Sequence, residues 1–150
     1  MKVLCDSSVL ISAFVESHPS HKSSFALLEK AKENEFTLIV SSHSILEVFS
    51  VLTGAPFRPK ITPEIAVRII ENNVKNLAKI YYLTGKEYLR LINKMGEYNF
   101  SGGIVYDQLI VECAVKAKAD EIITLNLQDF IKLTPGLNIE VSSPQKFLAK

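Results

Sequence analysis

Short apolar runs alternate with longer amphipathic stretches along the chain. An apolar run of three to five residues between polar boundaries is typical of a buried β-strand. Five runs of this kind predict strands over residues 3–5, 37–40, 80–83, 121–124 and 139–141.

The stretches between these strands predict helices, because their apolar residues recur at helical spacing. Hydroxyl residues that can cap a helix stand near the expected starts: Ser20, Ser42 or Ser44, Thr62 before Pro63, and Thr84. The predicted helices cover residues 8–15, 20–34, 42–53, a segment that opens at Thr62-Pro63, 84–98, 104–118 and 126–132.

This alternation predicts the fold class. Strands that alternate with helices favour an α/β fold with a central, mostly parallel sheet of four to five short strands, covered by helices on both faces. A length of 150 residues without a repeat or a long linker predicts a single domain over residues 1–150.

Three acidic residues interrupt apolar stretches that this fold would bury. Asp6 follows the first strand directly, Glu47 lies in Ile45-Leu46-Glu47-Val48-Phe49, and Asp107 lies in the apolar stretch of residues 104–111. A carboxylate is costly to bury without a partner, so each of these positions needs an explanation. We expect all three at the sheet edge that holds the carboxyl ends of the strands, where open α/β sheets bind ligands. Thr124, Asn126 and Asp129 follow the fourth strand at the same edge.

Each acid also has a purely structural interpretation. Asp6 can cap the helix that follows it, and an acid in the first turn of a helix complements the macrodipole, which would explain Glu47 and Asp107. Asn126 and Asp129 have the spacing of a capping box, with Asp in place of the usual Glu or Gln.

Three acids at one edge favour a cation site over three unrelated caps, because close carboxylates repel one another. Oxygen ligands without His or Cys indicate Mg²⁺ or Mn²⁺ as the cofactor. A divalent ion activates water and stabilises charge during cleavage of a phosphodiester. The hydroxyls of Ser7 and Thr124 are candidates to orient a carboxylate or a water by hydrogen bonds, although hydroxyl residues at such junctions usually cap helices.

The composition narrows the class of protein but does not indicate a substrate. A formal net charge of +1 neither requires nor excludes a nucleic-acid partner. Cys5 and Cys113 lie in apolar surroundings without metal-ligand spacing, which indicates buried free thiols and suits a reducing cytosol. An apolar stretch broken at Asp6 makes a signal peptide unexpected, and no apolar run is long enough to span a membrane, so we expect a cytoplasmic protein.

The motifs together resemble the PIN-domain family and, within it, VapC-type toxin ribonucleases. The resemblance rests on the segment of residues 3–11, the Glu47 helix, Tyr106-Asp107 with Leu109 and Ala114, and residues 123–126. It implies a three-layer α/β/α fold with an acidic pocket that binds Mg²⁺ or Mn²⁺, and endonucleolytic cleavage of RNA. It also implies a homodimer inhibited by a small antitoxin protein.

The resemblance assigns roles position by position. Asp6, Glu47 and Asp107 match the three acidic metal-ligand positions of the family. The fourth position, often Asp, is Asn126 here, a neutral and weaker ligand; Asp129 either supplies the missing charge, as a fourth catalytic acid, or only caps the helix.

Cations and aromatics near these motifs complete the prediction. Arg58 and Lys60 lie in a Pro-containing loop and are candidates for contacts to RNA phosphates. Tyr106 is a candidate to line the pocket beside Asp107. The sequence therefore predicts a Mg²⁺- or Mn²⁺-dependent endoribonuclease, the toxin of a type II toxin–antitoxin pair. The alternative is a weak or inactive domain of the same fold that binds RNA or protein.

Overall fold

A five-stranded sheet runs through the centre of the computed structural model, which describes residues 1–150. All four neighbouring strand pairs are parallel, and the spatial order is β3-β2-β1-β4-β5. The strands are β1 Lys2–Cys5, β2 Thr37–Ser41, β3 Lys79–Tyr81, β4 Glu121–Ile123 and β5 Glu140–Ser142. The five predicted strands are thus confirmed, with ends that differ by one or two residues, and the sheet is wholly parallel.

Eight α-helices connect and flank the strands. They are α1 Ser7–Phe14, α2 His21–Lys32, α3 Ser42–Gly54, α4 Pro63–Ile70, α5 Gly85–Glu97, α6 Ile104–Ala117, α7 Leu127–Leu133 and α8 Pro144–Leu148. A π-helical segment, Glu71–Lys75, continues α4. The short helix α8 and the π-helical segment were not predicted.

The helices form a layer on each face of the sheet, because successive residues of a strand point to opposite faces. Val3 of β1 lies in a core with Leu28 of α2 and Val48 of α3. Leu4, the next residue, lies in a second core with Ile110 of α6 and Phe130 of α7. This confirms the predicted three-layer α/β/α fold.

Side-chain caps show which hydroxyls begin the helices. The Thr62 and Thr84 side chains accept hydrogen bonds from backbone N–H groups in the first turns of α4 and α5, as expected. Helix α3 is capped by Ser41, which accepts from Ser44 N–H, so the expectation of Ser42 or Ser44 as the cap was wrong by one to three residues. Ser20 occupies the N-cap position of α2 but its side chain makes no capping bond.

The sheet has its topological switch point between β1 and β4. The chain moves from β1 outward to β2 and β3, then returns to the other side of β1 to form β4 and β5. Helices that leave neighbouring strands in opposite directions open a crevice at the carboxyl ends of those strands, and ligands bind there in open α/β sheets. Cys5 pairs with Ile123 in the β1–β4 ladder, which places Asp6 and Thr124 side by side at this crevice.

Near the amino ends of the strands, the buried carboxylate of Glu121 is neutralised by Lys150. Glu121 of β4 is fully buried, and both of its carboxylate oxygens lie 2.8 Å from Lys150 Nζ. The Ser142 hydroxyl also donates to Glu121, and Glu140 accepts a further hydrogen bond from Lys150. This network ties the end of the chain to β4 and β5.

None of the helices combines the length and the apolar character that crossing a membrane requires. Both cysteines are buried and unbonded to each other, as predicted.

Candidate active site

Asp6 lies at the carboxyl end of β1 and is 4% exposed. Its Oδ1 accepts a hydrogen bond of 2.6 Å from Ser7 N–H, so Asp6 is the N-cap of α1. Its Oδ2 accepts from the hydroxyls of Ser8 at 2.8 Å and Thr124 at 3.0 Å. The structural interpretation of Asp6 as a cap is therefore confirmed, but it accounts for only one of the two carboxylate oxygens.

Ser7 connects Asp6 to Glu47. The Ser7 hydroxyl lies 2.8 Å from Glu47 Oε2 and 3.1 Å from Asp6 Oδ1. Because this hydroxyl has one proton, it donates to one carboxylate at a time and accepts nothing from the other. Glu47 lies in the second turn of α3, beyond the reach of the helix macrodipole, so the dipole interpretation was wrong for this residue.

Asp107 stands in the first turn of α6 and is half-buried. Its carboxylate accepts no hydrogen bond and forms no ion pair. Burial, and then the negative charges of Asp6, Asp129 and Glu47, raise the pKa of Asp107 to about 6. The four predicted acids therefore lie within electrostatic reach of one another, and no cation of the protein neutralises Asp6 or Asp107.

Asn126 and Asp129 do not form the predicted capping box. The Asn126 side-chain amide donates to Asp129 Oδ2 at 2.7 Å, and Asn126 makes no side-chain capping bond to α7. Asn126 N–H donates instead to Thr124 Oγ1 at 2.9 Å. The hydrogen bonds from Asn126 and Lys132 lower the pKa of Asp129, so this acid stays ionised beside Asp107.

Hydroxyl groups from the first turn of α1 and from the end of β4 hold Asp6 in place. Thr124 is buried, donates to Asp6 and accepts from Asn126 N–H, as the sequence suggested for its hydroxyl. Ser8 performs the same task, since it donates to Asp6 and accepts from Leu125 N–H at 3.1 Å. The sequence pattern did not single out Ser8, although its position two residues after Asp6 is within reach of the same carboxylate.

An aromatic pair lies beside the acids. The ring of His43 on α3 stacks on that of Tyr106 on α6, with centroids 5.1 Å apart and planes 3° from parallel. His43 Nε2 lies 3.8 Å from Glu47 Oε2. Tyr106 was expected near the pocket; His43 was not, and its only signal was its position one helical turn before Glu47.

The structure does not bring Arg58 and Lys60 together with the acids. Both are exposed in the loop that follows α3, and that helix ends about 10 Å beyond Glu47 along its axis. Arg58 lines a cavity with Phe14 and Glu16, at the end of α1 distant from Asp6.

Comparison with known proteins identifies the family. The profile of the PIN domain matches residues 2–128 of this chain. The chain belongs to the PIN domain family. The chain is also similar to individual PIN-domain proteins in sequence and in structure.

Among curated proteins, ribonuclease VapC40 of Mycobacterium tuberculosis is 27% identical over 136 residues, which cover 91% of this chain and 94% of VapC40. The crystal structure of M. tuberculosis VapC20, described as a toxin that cleaves the sarcin-ricin loop, aligns with a TM-score of 0.67 and 8% identity over 87% of this chain and 94% of VapC20. VapBC2 of Rickettsia felis, solved with a DNA fragment from its promoter, aligns with a TM-score of 0.63 and 19% identity over 95% and 99% of the two chains.

The oxygen atoms of the acidic cluster suit the divalent cation that a PIN domain implies. The side chains do not, however, surround a preformed cation site. All candidate donors are oxygens, and the Asp107 carboxylate has no partner within the protein. No three His, Cys, Asp or Glu side chains converge closely enough to form a preformed metal site. Glu47 is exposed, and its carboxylate is hydrogen-bonded to the Ser7 hydroxyl, which also lies 3.1 Å from Asp6 Oδ1.

Proposed function

We propose that this PIN domain is a Mg²⁺- or Mn²⁺-dependent endoribonuclease. The observation that carries the proposal is Asp107, a half-buried carboxylate without a partner in the field of three other acids. An arrangement that raises the pKa of an acid and offers no cation is unfavourable until a cation binds. The curated relative VapC40 is named a ribonuclease, which supports the same activity.

Asp6, Glu47 and Asp107 would hold the metal, with Asn126 and Asp129 at the fourth corner. When bound, the cation lowers the pKa of a water and neutralises charge on the phosphodiester. The hydroxyls of Ser7, Ser8 and Thr124 supply neutral donors that keep the Asp6 carboxylate oriented. Asp129 adds negative charge from the first turn of α7.

The activity is tested by incubating the purified protein with structured RNA in the presence of Mn²⁺. Asp6→Asn and Asp107→Asn should each lower the cleavage rate at least about 100-fold, because loss of groups that only support a metal ligand already costs 10- to 100-fold. Glu33→Gln, an exposed acid distant from the cluster, is the matched control. Equal cleavage by the acid variants, or by wild type in excess EDTA, would contradict the proposal.

We further propose that the protein is the toxin of a type II toxin–antitoxin pair, with a small antitoxin as its partner in the cytoplasm. The structural similarity to VapC20 and VapBC2 supports this role. Expression of wild type should arrest growth and Asp6→Asn should not, and a neighbouring gene for a DNA-binding protein should restore growth. Growth arrest that this neighbour fails to relieve would contradict the pairing.

A homodimer is proposed from helix α5. Its residues Tyr88, Leu89 and Ile92 share one face and are all exposed. Light scattering should give twice the mass of the 16.7 kDa chain for wild type and a monomer for Leu89→Glu. Exposed Glu33→Gln again serves as the control, and a monomeric wild type would exclude the dimer.

One observation favours a second function, a catalytically inactive domain that binds RNA or protein. Asn126 replaces an acid, and the carboxylates do not converge in a preformed metal site. Calorimetric titration with Mn²⁺ separates the two functions. No measurable binding at millimolar metal would favour the non-catalytic domain.

A further inference from the structure

The stacked rings of His43 and Tyr106 connect the two helices that carry acids of the cluster. His43 lies one turn before Glu47 on α3, and Tyr106 directly precedes Asp107 on α6. The rings are 3° from parallel, with centroids 5.1 Å apart. The pair therefore lies beside the acids and is fixed to both of their helices.

Tyr106 presents an open aromatic surface at this position. The residue is 56% exposed, and the imidazole of His43 lies parallel to its ring. Because the ring centroids are 5.1 Å apart, the two rings are offset and overlap only in part, which leaves phenol surface open to a ligand. Contact with His43 restrains the ring orientation, so a planar ligand would meet a surface that is already ordered.

The surrounding charge restricts the kind of ligand that can use this surface. Asp6, Glu47, Asp107 and Asp129 make the crevice negative, which repels phosphate groups in the absence of a cation. A nucleobase is uncharged and planar, and stacking on an aromatic ring contributes binding that is tolerant of base identity. Such a base must be unpaired and turned out of its own stack, as in loops and single-stranded RNA.

We propose that His43 and Tyr106 form a stacking platform for one unpaired nucleobase of the RNA substrate, which places the neighbouring phosphodiester at the acidic cluster. The inference rests on the proposed ribonuclease function and specifies its substrate as single-stranded or looped RNA. Tyr106 contacts the base, and His43 is a positioning residue that holds the phenol ring.

Kinetics of Tyr106 variants provide the first test. With a single-stranded oligoribonucleotide substrate and Mn²⁺, Tyr106→Ala should raise KM about 5- to 50-fold and leave kcat nearly unchanged. Tyr106→Phe retains the ring and should behave like wild type, and His43→Ala should raise KM by less than Tyr106→Ala. A change in thermal stability with KM unaltered would mean that the stack only joins α3 to α6, which would overturn the platform.

A fluorescence experiment tests the platform without cleavage. The chain contains no Trp, so Tyr106→Trp introduces a single indole at the proposed contact. In EDTA, and with Asp107→Asn added to reduce the negative charge that repels phosphate, the single-stranded oligoribonucleotide should quench its emission, whereas a fully paired duplex of the same sequence should not. An oligonucleotide with an abasic residue at the stacked position should quench less, and unchanged emission with every RNA would overturn the platform.

The two experiments separate failure of the platform from failure of the proposed nuclease. If wild type with Mn²⁺ does not cleave RNA while Tyr106→Trp is quenched by single strands, the nuclease activity is wrong and the stacking platform holds. If wild type cleaves and the Tyr106 variants match it in KM and show no quenching, the platform is wrong and the nuclease stands.

Discussion

At the scale of single residues, the two carboxylate oxygens of Asp6 have different hydrogen-bond partners. One carboxylate oxygen caps α1 and the other gathers the hydroxyls of Ser8 and Thr124. The structural interpretation and the metal interpretation are therefore compatible, and a variant that keeps the cap but not the charge can separate them.

Asp6→Ala should be less stable than Asp6→Asn by about 1–3 kcal/mol, because Ala loses the cap and leaves buried hydroxyls without an acceptor. Asn keeps an oxygen for the cap, although its amide NH2 group cannot accept the hydrogen bonds that Ser8 and Thr124 donate to Oδ2 in wild type. Urea denaturation of both variants measures this difference. Equal free energies of unfolding would mean that the hydrogen bonds of Asp6 do not contribute to stability.

The Asp107 carboxylate should destabilise the folded protein when it is ionised and no cation is bound. Its pKa is raised from an ordinary value near 4 to about 6, so the folded protein favours the protonated acid. The stabilisation is complete below pH 4 and is lost as the pH rises through 6. In EDTA at pH 8, Asp107→Asn should therefore raise Tm by about 2–4 °C, because solvent limits the gain at this half-exposed group to about 1 kcal/mol.

The Tm difference between Asp107→Asn and wild type should disappear below pH 4, where both side chains are neutral. Scanning calorimetry between pH 3.5 and 8 measures it. A constant difference across this range would show that Asp107 does not titrate in the field of the other acids. Addition of Mn²⁺ should raise the Tm of wild type and leave that of Asp107→Asn nearly unchanged.

At the scale of elements, Glu87 joins α5 to α6. It completes a capping box with Thr84 at the start of α5 and accepts a hydrogen bond of 2.8 Å from Lys116 on α6. The hydrogen bond from Lys116 and that from Thr84 N–H lower the pKa of Glu87 to about 2. This connection positions α6, whose first turn carries Asp107.

Glu87→Gln should lower Tm at pH 6, because Gln keeps the cap but loses the ion pair with Lys116. A depressed pKa means that the charge stabilises the fold above the unfolded pKa of about 4.3 and that this stabilisation is lost as the pH falls toward 2. The Tm difference from wild type should therefore shrink between pH 4 and 2. Glu97→Gln, an acid at the other end of α5, is the control, and a difference that persists at pH 2 would contradict the assignment.

The elements also show what a sequence reveals and what it does not. Strand ends and the caps Thr62 and Thr84 could be predicted, since each depends on residues within one turn or one run. Helix α8 was missed although Ser143-Pro144 is a start signal, because five residues carry too little periodicity to indicate a helix.

For the site residues too, prediction succeeded where local sequence was sufficient and failed where a contact between distant residues decides. Asp6, Glu47 and Asp107 were predicted at one edge because all parallel strands end there, which the alternation of elements already implies. His43 was missed because its importance depends on contact with Tyr106, a residue on another helix that no local pattern connects to it. The roles of the site residues themselves stay predictions until the variants are measured.

At the scale of the whole molecule, the two edges of the sheet have opposite requirements. At the carboxyl edge, Asp6 and Asp107 have no cation partner, whereas at the amino edge the buried Glu121 is paired with Lys150. One edge is therefore suited to bind a ligand and the other to hold the sheet together.

Lys150→Met should lower the free energy of unfolding by about 1–3 kcal/mol. The loss leaves the buried Glu121 without a cation, and the partial exposure of Lys150 keeps the cost below that of a fully buried pair. The double variant Glu121→Gln/Lys150→Met should recover part of the loss, as urea denaturation of the single and double variants can measure. Additive effects would mean that the two residues do not interact.

The hydrogen bond between Thr124 and Asp6 joins residues that are 118 positions apart. Because β4 pairs directly with β1, the crevice cannot form during synthesis until the chain has been made beyond residue 124 and that segment has left the ribosome. A ribosome that translates this message is therefore exposed to a chain without a complete acidic cluster for most of elongation. The acidic cluster would therefore be complete, and able to bind the proposed cation, only after β4 has paired with β1.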